Sequence, residues 1–434
     1  METGRPPGSG WIGHLVVITV DSLRRDTCRL CGSNDLTLVL ELTPTPPANA
    51  FVAKEAVQSP QVAYPLDVFF CEACAHVQLL DIVEPEILFR NYVYVSGTSP
   101  VFVKHFEDYV VSVIGRLPNE IEGRLVVDIG SNDGTLLKRF KYHGFSLLGV
   151  DPARDIAAKA TAEGIETLPK FFTSALADEI RNEYGEAAII TANNVFAHAD
   201  ELRDMTFGIK SLLRPEGLFV FEVSYLVDVF EKTLFDTIYH EHLAYHSVAP
   251  LVGFFKEHGL ELIDARRIDS HGGSLRGFVQ LAGGPHSMSS TVEKLIEEER
   301  RLGLDQAITL KAFGDHINAV KEQLTTCLWR LKNQGKSIAG FGAPAKATTL
   351  MYHFGIGPNL IDFIVDDSPL KQGLYSPGMH IPVLPSSAIY TKKPDALIIL
   401  AWNFSKSIIQ DHNAFIEQGG TFIVPLPKVE MISL

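Results

Sequence analysis

Ten consecutive residues, Ile238-Tyr239-His240-Glu241-His242-Leu243-Ala244-Tyr245-His246-Ser247, gather three histidines, a carboxylate, two phenols and a hydroxyl into one stretch. An imidazole with an ordinary pKa of about 6.5 takes up a proton at neutral pH. His242 is therefore a candidate base, Glu241 a group to orient it or to act on a substrate hydroxyl, and Tyr239 a hydrogen-bond donor. The stretch is not H-E-x-x-H, because Ala244 stands in the second histidine's place. His242 and His246 are four apart and would share a metal if helical; ordinary packing of these histidines is the alternative. Asn193-Asn194-Val195-Phe196-Ala197-His198 follows another apolar run, so His198 either joins the same rim or is a packed residue. Tyr92-Val93-Tyr94-Val95-Ser96-Gly97-Thr98 adds two phenols, each a donor to the site or a core residue with a satisfied hydroxyl.

A second constellation lies upstream. Val126-Val127-Asp128-Ile129-Gly130-Ser131-Asn132-Asp133-Gly134 ends an expected strand and opens an expected helix, and Gly149-Val150-Asp151-Pro152 ends the next strand. Glycines in such a turn let the backbone approach a ligand, and an acid at the second strand tip accepts hydrogen bonds from ribose hydroxyls. Asn132 replaces the middle glycine of G-x-G-x-x-G, which tilts the reading from a dinucleotide toward S-adenosylmethionine. The expected donor set is Asp128, Gly130, Asn132, Asp133, Asp151 and Pro152; a tight turn without ligand is the alternative.

Cys28-x-x-Cys31 and Cys71-x-x-Cys74 form the third constellation. Each C-x-x-C turn presents two thiolates to one ion, and two pairs close a tetrahedral zinc site with no position left for water, so the site is structural. A redox dithiol or free buried thiols are the other readings. His76 lies close by but is not needed, and Cys327 falls in a helical stretch as a packed thiol.

These groups need elements to hold them. From Leu125 the sequence alternates apolar runs (Leu125–Ile129, Ser146–Val150, Ala187–Thr191, Gly217–Val223) with amphipathic stretches, the pattern of a parallel α/β sheet. Leu260–Ile268 and Leu275–Leu281 complete it around a His271-Gly272-Gly273 turn, and a second βα series begins near Ser337. The organisation expected is an extension over 1–25 (disordered), a loop-rich cysteine module over 26–80, a helical connector over 81–119, and a doubly wound domain over 120–285. Connecting helices follow over 286–334 and a second α/β domain over 335–434. Hydrophobic residues make up 46% and charged residues 21%, as in ordinary globular proteins, and the formal charge is −14 without a basic run. That balance argues against nucleic acid or an anionic membrane as partner. No apolar stretch reaches the roughly 18 residues of a membrane span, and the start lacks a convincing signal peptide, so a cytoplasmic location is expected.

Taken together the motifs resemble the deoxysugar C-methyltransferases, which methylate ring carbons of nucleotide-linked keto sugars. The resemblance runs over 26–434. It rests on the cysteine pairs, Tyr92-x-Tyr94, Asp128 to Gly134, Asn194-Val195-Phe196-Ala197-His198, Tyr239-His240-Glu241-His242 and His271-Gly272-Gly273-Ser274-Leu275-Arg276. Gly340-Phe341-Gly342-Ala343-Pro344-Ala345-Lys346 and Asp366-Asp367-Ser368-Pro369-Leu370-Lys371-Gln372-Gly373 extend it. It implies a zinc-binding module, a class I S-adenosylmethionine methyltransferase domain of Rossmann-like α/β fold, and a C-terminal Rossmann-like domain that helps to hold a sugar nucleotide. Asn194 joins the donor set, and His271, Arg276, Gly340, Gly342, Ala343 and Lys346 become substrate-binding candidates. The turn at Gly340 precedes a helix whose N-terminus favours phosphate. The implied chemistry is removal of a proton next to a ketone by His242. Tyr239, His198, Tyr92 or Tyr94 steady the oxyanion, and no catalytic metal is needed. Methylation at oxygen or nitrogen, a non-catalytic sugar-nucleotide sensor and a dehydrogenase are competing readings. The sugar, nucleotide, ring carbon and choice between monomer and homodimer are not written in the sequence.

Overall fold

The computed structural model describes residues 22–90, 100–118, 124–270 and 272–434. The extension before Ser22, Tyr92, Tyr94 and His271 lie outside them. The chain forms two compact units, Ser22–Leu42 with Leu66–Glu322, and Thr43–Pro65 with Gln323–Leu434. Of the stretch between the two cysteine pairs, Thr43–Pro65 thus groups with the C-terminal residues. The other division falls within the helix Ala307–Asn333.

The first unit is built on a seven-stranded sheet. Its order is Leu260–Ile268, Ser274–Leu281, Leu213–Ser224, Ala187–Asn193, Leu125–Ile129, Ser146–Val150, Thr167–Leu168. Only Ser274–Leu281 runs against the others. Leu125–Ile129 is buried at every position, because helices cover both faces of a parallel sheet and leave no polar alternation to read. Val126, Ile189, Leu218, Val220 and Phe278 from the strands meet Leu136, Leu137, Phe140, Tyr109 and Val113 from helices in one core. Thr173 opens the helix Ser174–Tyr184 by accepting the Leu176 N–H at 3.2 Å. This is the doubly wound α/β architecture expected, and its connections deliver the candidate residues to the carboxyl ends of the parallel strands.

The cysteine segments of this unit are not the loops that their composition suggested. They form a four-stranded antiparallel sheet in the order Ala244–Tyr245, Val77–Leu79, Val68–Cys71, Leu36–Leu40. Its edge strand comes from the histidine stretch itself.

The second unit has a six-stranded sheet in the order Val383–Leu384, Ile364–Val365, Ile338–Phe341, Ala396–Ile399, Thr421–Val424, Glu430–Ile432, with the last strand antiparallel. The excursion Thr43–Pro65 joins this unit through paired backbone at Val52 and Tyr375 and through the Thr348 hydroxyl, which donates to the Ala48 carbonyl at 3.1 Å. Ala48, Val52, Ala63 and Tyr64 are buried.

Candidate active site

The strand Leu125–Ile129 runs into Gly130, Asn132 and Gly134, whose φ angles of +72°, +50° and +72° are left-handed. Asparagine tolerates that region better than most residues, which explains how Asn132 stands where a glycine is usual. A Cβ on Gly130 would collide with Val195 Cγ2, so this turn lies directly against the turn that begins at Asn194. Asn194 is itself left-handed, and its N–H donates to the Glu222 carbonyl at 2.7 Å. At the tip of the next strand, Asp151 Oδ2 accepts the Asn132 N–H and Oδ1 accepts the Ala153 N–H, both at 2.9 Å. Each carboxylate oxygen keeps a further acceptor site, so vicinal hydroxyls can still be bound.

Asp128 is buried and accepts the Thr191 hydroxyl at 2.6 Å. Burial pushes its carboxyl up to about 7; the Thr191 bond opposes the rise and the nearby Asp151 adds to it. Asp133 instead serves the helix that follows, accepting the Thr135 hydroxyl at 2.7 Å and its N–H at 3.2 Å. The Pro152 carbonyl accepts from Arg90 Nη1 at 3.0 Å. Ser131 Oγ is buried without a partner among the described residues. A left-handed cradle, an orphaned hydroxyl and an acid at the neighbouring strand tip fit S-adenosylmethionine. Asp128, Ser131, Asn132 and Asp151 are the residues that would hold it.

The histidine stretch follows the same rim. His242 Nδ1 lies 2.7 Å from the Thr237 carbonyl, which can only accept, so Nδ1 carries the proton and Nε2 keeps its lone pair. The ring stacks on His198 at 4.9 Å between centroids and lies 4.1 Å from the Tyr239 ring. Phe89 stacks on His198 at 5.8 Å. Three of the expected residues, Tyr239, His198 and His242, are therefore together. Glu241 is buried next to them in sequence. His246 is not a metal partner for His242: it is fully buried, stacked between His76 and Phe196, and held neutral, chiefly by burial, which lowers it to about 4.

Arg276 has protein partners on both sides. It is buried on the strand Ser274–Leu281, where Nε donates to Glu222 Oε1 at 2.6 Å and the guanidinium lies 4.4 Å from the centre of the Tyr109 ring. His105 Nε2 meets the other Glu222 oxygen at 2.8 Å. Burial alone would raise the Glu222 carboxyl, but His105 and Arg276 outweigh it and hold it below its ordinary value. Sequence reading missed Glu222 and His105 because nothing in their spacing links residues 105, 222 and 276.

In the turn after Ile338–Phe341 of the second unit, Gly340 N–H donates to the Phe363 carbonyl, Gly342 N–H to the Val365 carbonyl and Ala343 N–H to Asp366 Oδ2 at 2.6 Å. The glycines answer to packing, since a Cβ on Gly340 would meet Leu400 at 2.9 Å and one on Gly342 would press on Ala401. Asp366 repeats the arrangement of Asp151, gripping its own glycine turn and the Ser368 N–H at 2.8 Å. Lys346 lies with Nζ 4.1 Å from the centre of the Trp402 ring.

The four cysteine sulfurs lie within 4.8 Å of one another, with Cys28–Cys74 at 3.7 Å and Cys31–Cys71 at 3.5 Å. Both C-x-x-C turns close alike: Gly32 N–H returns to the Cys28 carbonyl and Ala75 N–H to the Cys71 carbonyl, with Gly32 and Ala75 left-handed. All four are free thiols, and four converging sulfurs on two such turns are the donor set of a structural zinc ion.

Comparison with known proteins places these features. Three family models match in succession: "Putative zinc binding domain" over residues 28–89, "Methyltransferase domain" over 103–265 and "C-methyltransferase C-terminal domain" over 269–427. The chain is 36% identical over 408 residues to the C-methyltransferase NovU of Streptomyces niveus, covering 94% of this chain and 97% of that protein. Among solved structures, the SAM-bound magnesium protoporphyrin IX methyltransferase (ChlM) from Synechocystis PCC 6803 is 16% identical, covering 42% of this chain and 78% of its own, with a TM-score of 0.30. The CcbJ methyltransferase from Streptomyces caelestis is 13% identical, covering 41% of this chain and 90% of its own, with a TM-score of 0.32.

Proposed function

We propose, from the premise that the chain belongs to the S-adenosylmethionine-dependent C-methyltransferase family, that it methylates a ring carbon next to the ketone of a nucleotide-linked 4-keto deoxysugar. The observation that carries this reading is the tautomer of His242. A carbon beside a ketone is acidic because its carbanion delocalises as an enolate, so the chain must supply a base and something to steady the oxygen. The Thr237 carbonyl accepts the Nδ1–H, so in the neutral ring Nε2 is the nitrogen with the basic lone pair and is assigned to take that carbon's proton. Tyr239 and His198, both beside the His242 ring, are assigned to donate to the developing oxyanion. When bound, S-adenosylmethionine supplies an electrophilic methyl group, which leaves the sulfonium as the new carbon–carbon bond forms. The proton ends on His242 and passes to solvent. Glu241 is assigned to orienting the pair. The nucleotide-sugar partner and a cytoplasmic setting belong to this same reading.

The test is a panel of thymidine- and uridine-diphosphate-linked 4-keto deoxyhexoses with mass detection of an added CH₂ and of deuterium washout beside the ketone. Gain of CH₂ with washout on one member is expected. A gain without washout would move the acceptor to oxygen or nitrogen, and no gain on any member would overturn the proposed acceptor.

A pH dependence follows from Asp128. S-adenosylmethionine carries positive charge, so an ionised Asp128 binds it better than a protonated one. With the free carboxyl near 7 and Asp151 its nearest charged neighbour, binding should draw a proton off as it proceeds. Affinity should therefore weaken about tenfold from pH 8 to pH 6, read by calorimetry in buffers of different ionisation enthalpy. A flat profile, or the same slope in Asp128→Asn, would remove Asp128 from the binding set.

A further inference from the structure

The two cysteine turns do more than hold their own sheet. Arg29 sits inside the first turn, between Cys28 and Cys31, and its side chain is fully buried. Its Nε donates to Asp200 Oδ1 at 3.1 Å, and its Nη1 donates to the Leu79 carbonyl at 2.6 Å and the Leu243 carbonyl at 3.2 Å. Asp200 is two residues beyond His198, and Leu243 is the residue after His242. One guanidinium thus ties together the segments that carry the stacked histidine pair. Gln78 fixes Arg29 from behind, its Oε1 accepting the Arg29 N–H at 3.1 Å and Nη1 at 3.0 Å.

The second turn reaches the same two segments from the other side. His76, two residues after Cys74, stacks on His246 at 5.4 Å, and His246 stacks on Phe196 at 5.6 Å. Phe196 is two residues before His198, and His246 is four after His242. Backbone pairing closes the arrangement: Leu79 N–H donates to Leu243, Ala244 pairs with Gln78, and Tyr245 with Val77.

We infer that Arg29 is a positioning residue for the His198–His242 pair, so that the metal-binding turn is a working part of the active site. The inference rests on His242 being the base. Lysine is the informative replacement, because it keeps the charge but cannot reach Asp200, Leu79 and Leu243 with one planar fork. The full chain with its metal, as Arg29→Lys, should keep zinc stoichiometry and S-adenosylmethionine affinity within about twofold. Turnover of the accepted ketosugar and washout of its proton should fall together, on the order of ten- to a hundredfold, the range seen when groups supporting a ligating or reacting side chain are lost. KM should change little.

Imidazole ¹⁵N spectra give a readout independent of activity. His242 should report one Nδ1–H tautomer in the parent and a mixture in Arg29→Lys. Asp200→Asn leaves Arg29 in place and loosens only its hold on the His198 segment, so a smaller fall, about three- to tenfold, is expected. Unchanged turnover and an unchanged His242 spectrum in either variant would overturn the inference. Loss of zinc or donor binding in step with activity would also overturn it, by making Arg29 a residue of the fold alone. Full turnover in His242→Ala would strike the base assignment instead, while the tautomer comparison would still judge Arg29.

Discussion

Replacing His242 by alanine should lower turnover about a thousandfold, within the span that general bases contribute, and leave S-adenosylmethionine affinity unchanged. The reason is local. With Nδ1–H donated to the Thr237 carbonyl, Nε2 is the basic nitrogen of the neutral His242 ring, and that ring contacts both His198 and Tyr239. Removing it takes away the proton acceptor and leaves the donor turn around Gly130 and Asp151 as it was. His242→Gln is the sharper version. Its amide can still donate toward Thr237, so the loop is kept while the base is lost, and the defect should match that of alanine. Washout of deuterium next to the ketone should fall in parallel with methyl transfer. Turnover within a few-fold of the parent in either variant would assign proton removal elsewhere.

The second large effect concerns the metal. Structural zinc in small peptides contributes apparent free energies of about 10–16 kcal/mol, comparable with the roughly 5–15 kcal/mol that holds a whole domain together. Here the sulfurs join the turn at Cys28 to the strand Val68–Cys71, in a sheet of short strands. Cys71→Ser should therefore lose the ion, lower the melting temperature by more than about 10 °C, and release hydrogen-exchange protection over 28–40 and 68–79. Metal analysis alongside scanning calorimetry would check it. Full zinc content with an unshifted melting temperature would show that the thiols are not its ligands.

What the sequence disclosed follows physical signal strength. Buried parallel strands are continuous apolar runs, so Leu125–Ile129 and Ser146–Val150 were legible to the residue. The cysteine spacing was legible because thiolate geometry leaves few alternatives. Ala244–Tyr245 was not, since a two-residue strand has no period and exists only because Val77–Leu79 is there to pair with it. For the same reason residues 26–80 looked loop-rich. The glycines at 340 and 342 carry a mixed signal, since close packing excludes a Cβ at both and a ligand-binding turn would ask for the same residues. Arg276 and Arg29 were indistinguishable as sequence. Their partners, buried Glu222 and half-buried Asp200, both distant along the chain, decide which of them touches the histidine segments.

Thr43–Pro65 clusters with the C-terminal residues while the segments on either side cluster with the other unit, so the chain changes units at 42/43, 65/66 and 322/323. On the ribosome this imposes a waiting period. All of the first unit has emerged once Glu322 has, yet Val52 and Ala48 still lack Tyr375 and Thr348, which are made later. Until then Ala63 and Tyr64 hang as an apolar loop between the two halves of the zinc site. No single cut yields both units whole. A stop after Glu322 strands that loop without its hosts, and a start at Gln323 deprives Tyr375 and Thr348 of their partners at Val52 and Ala48.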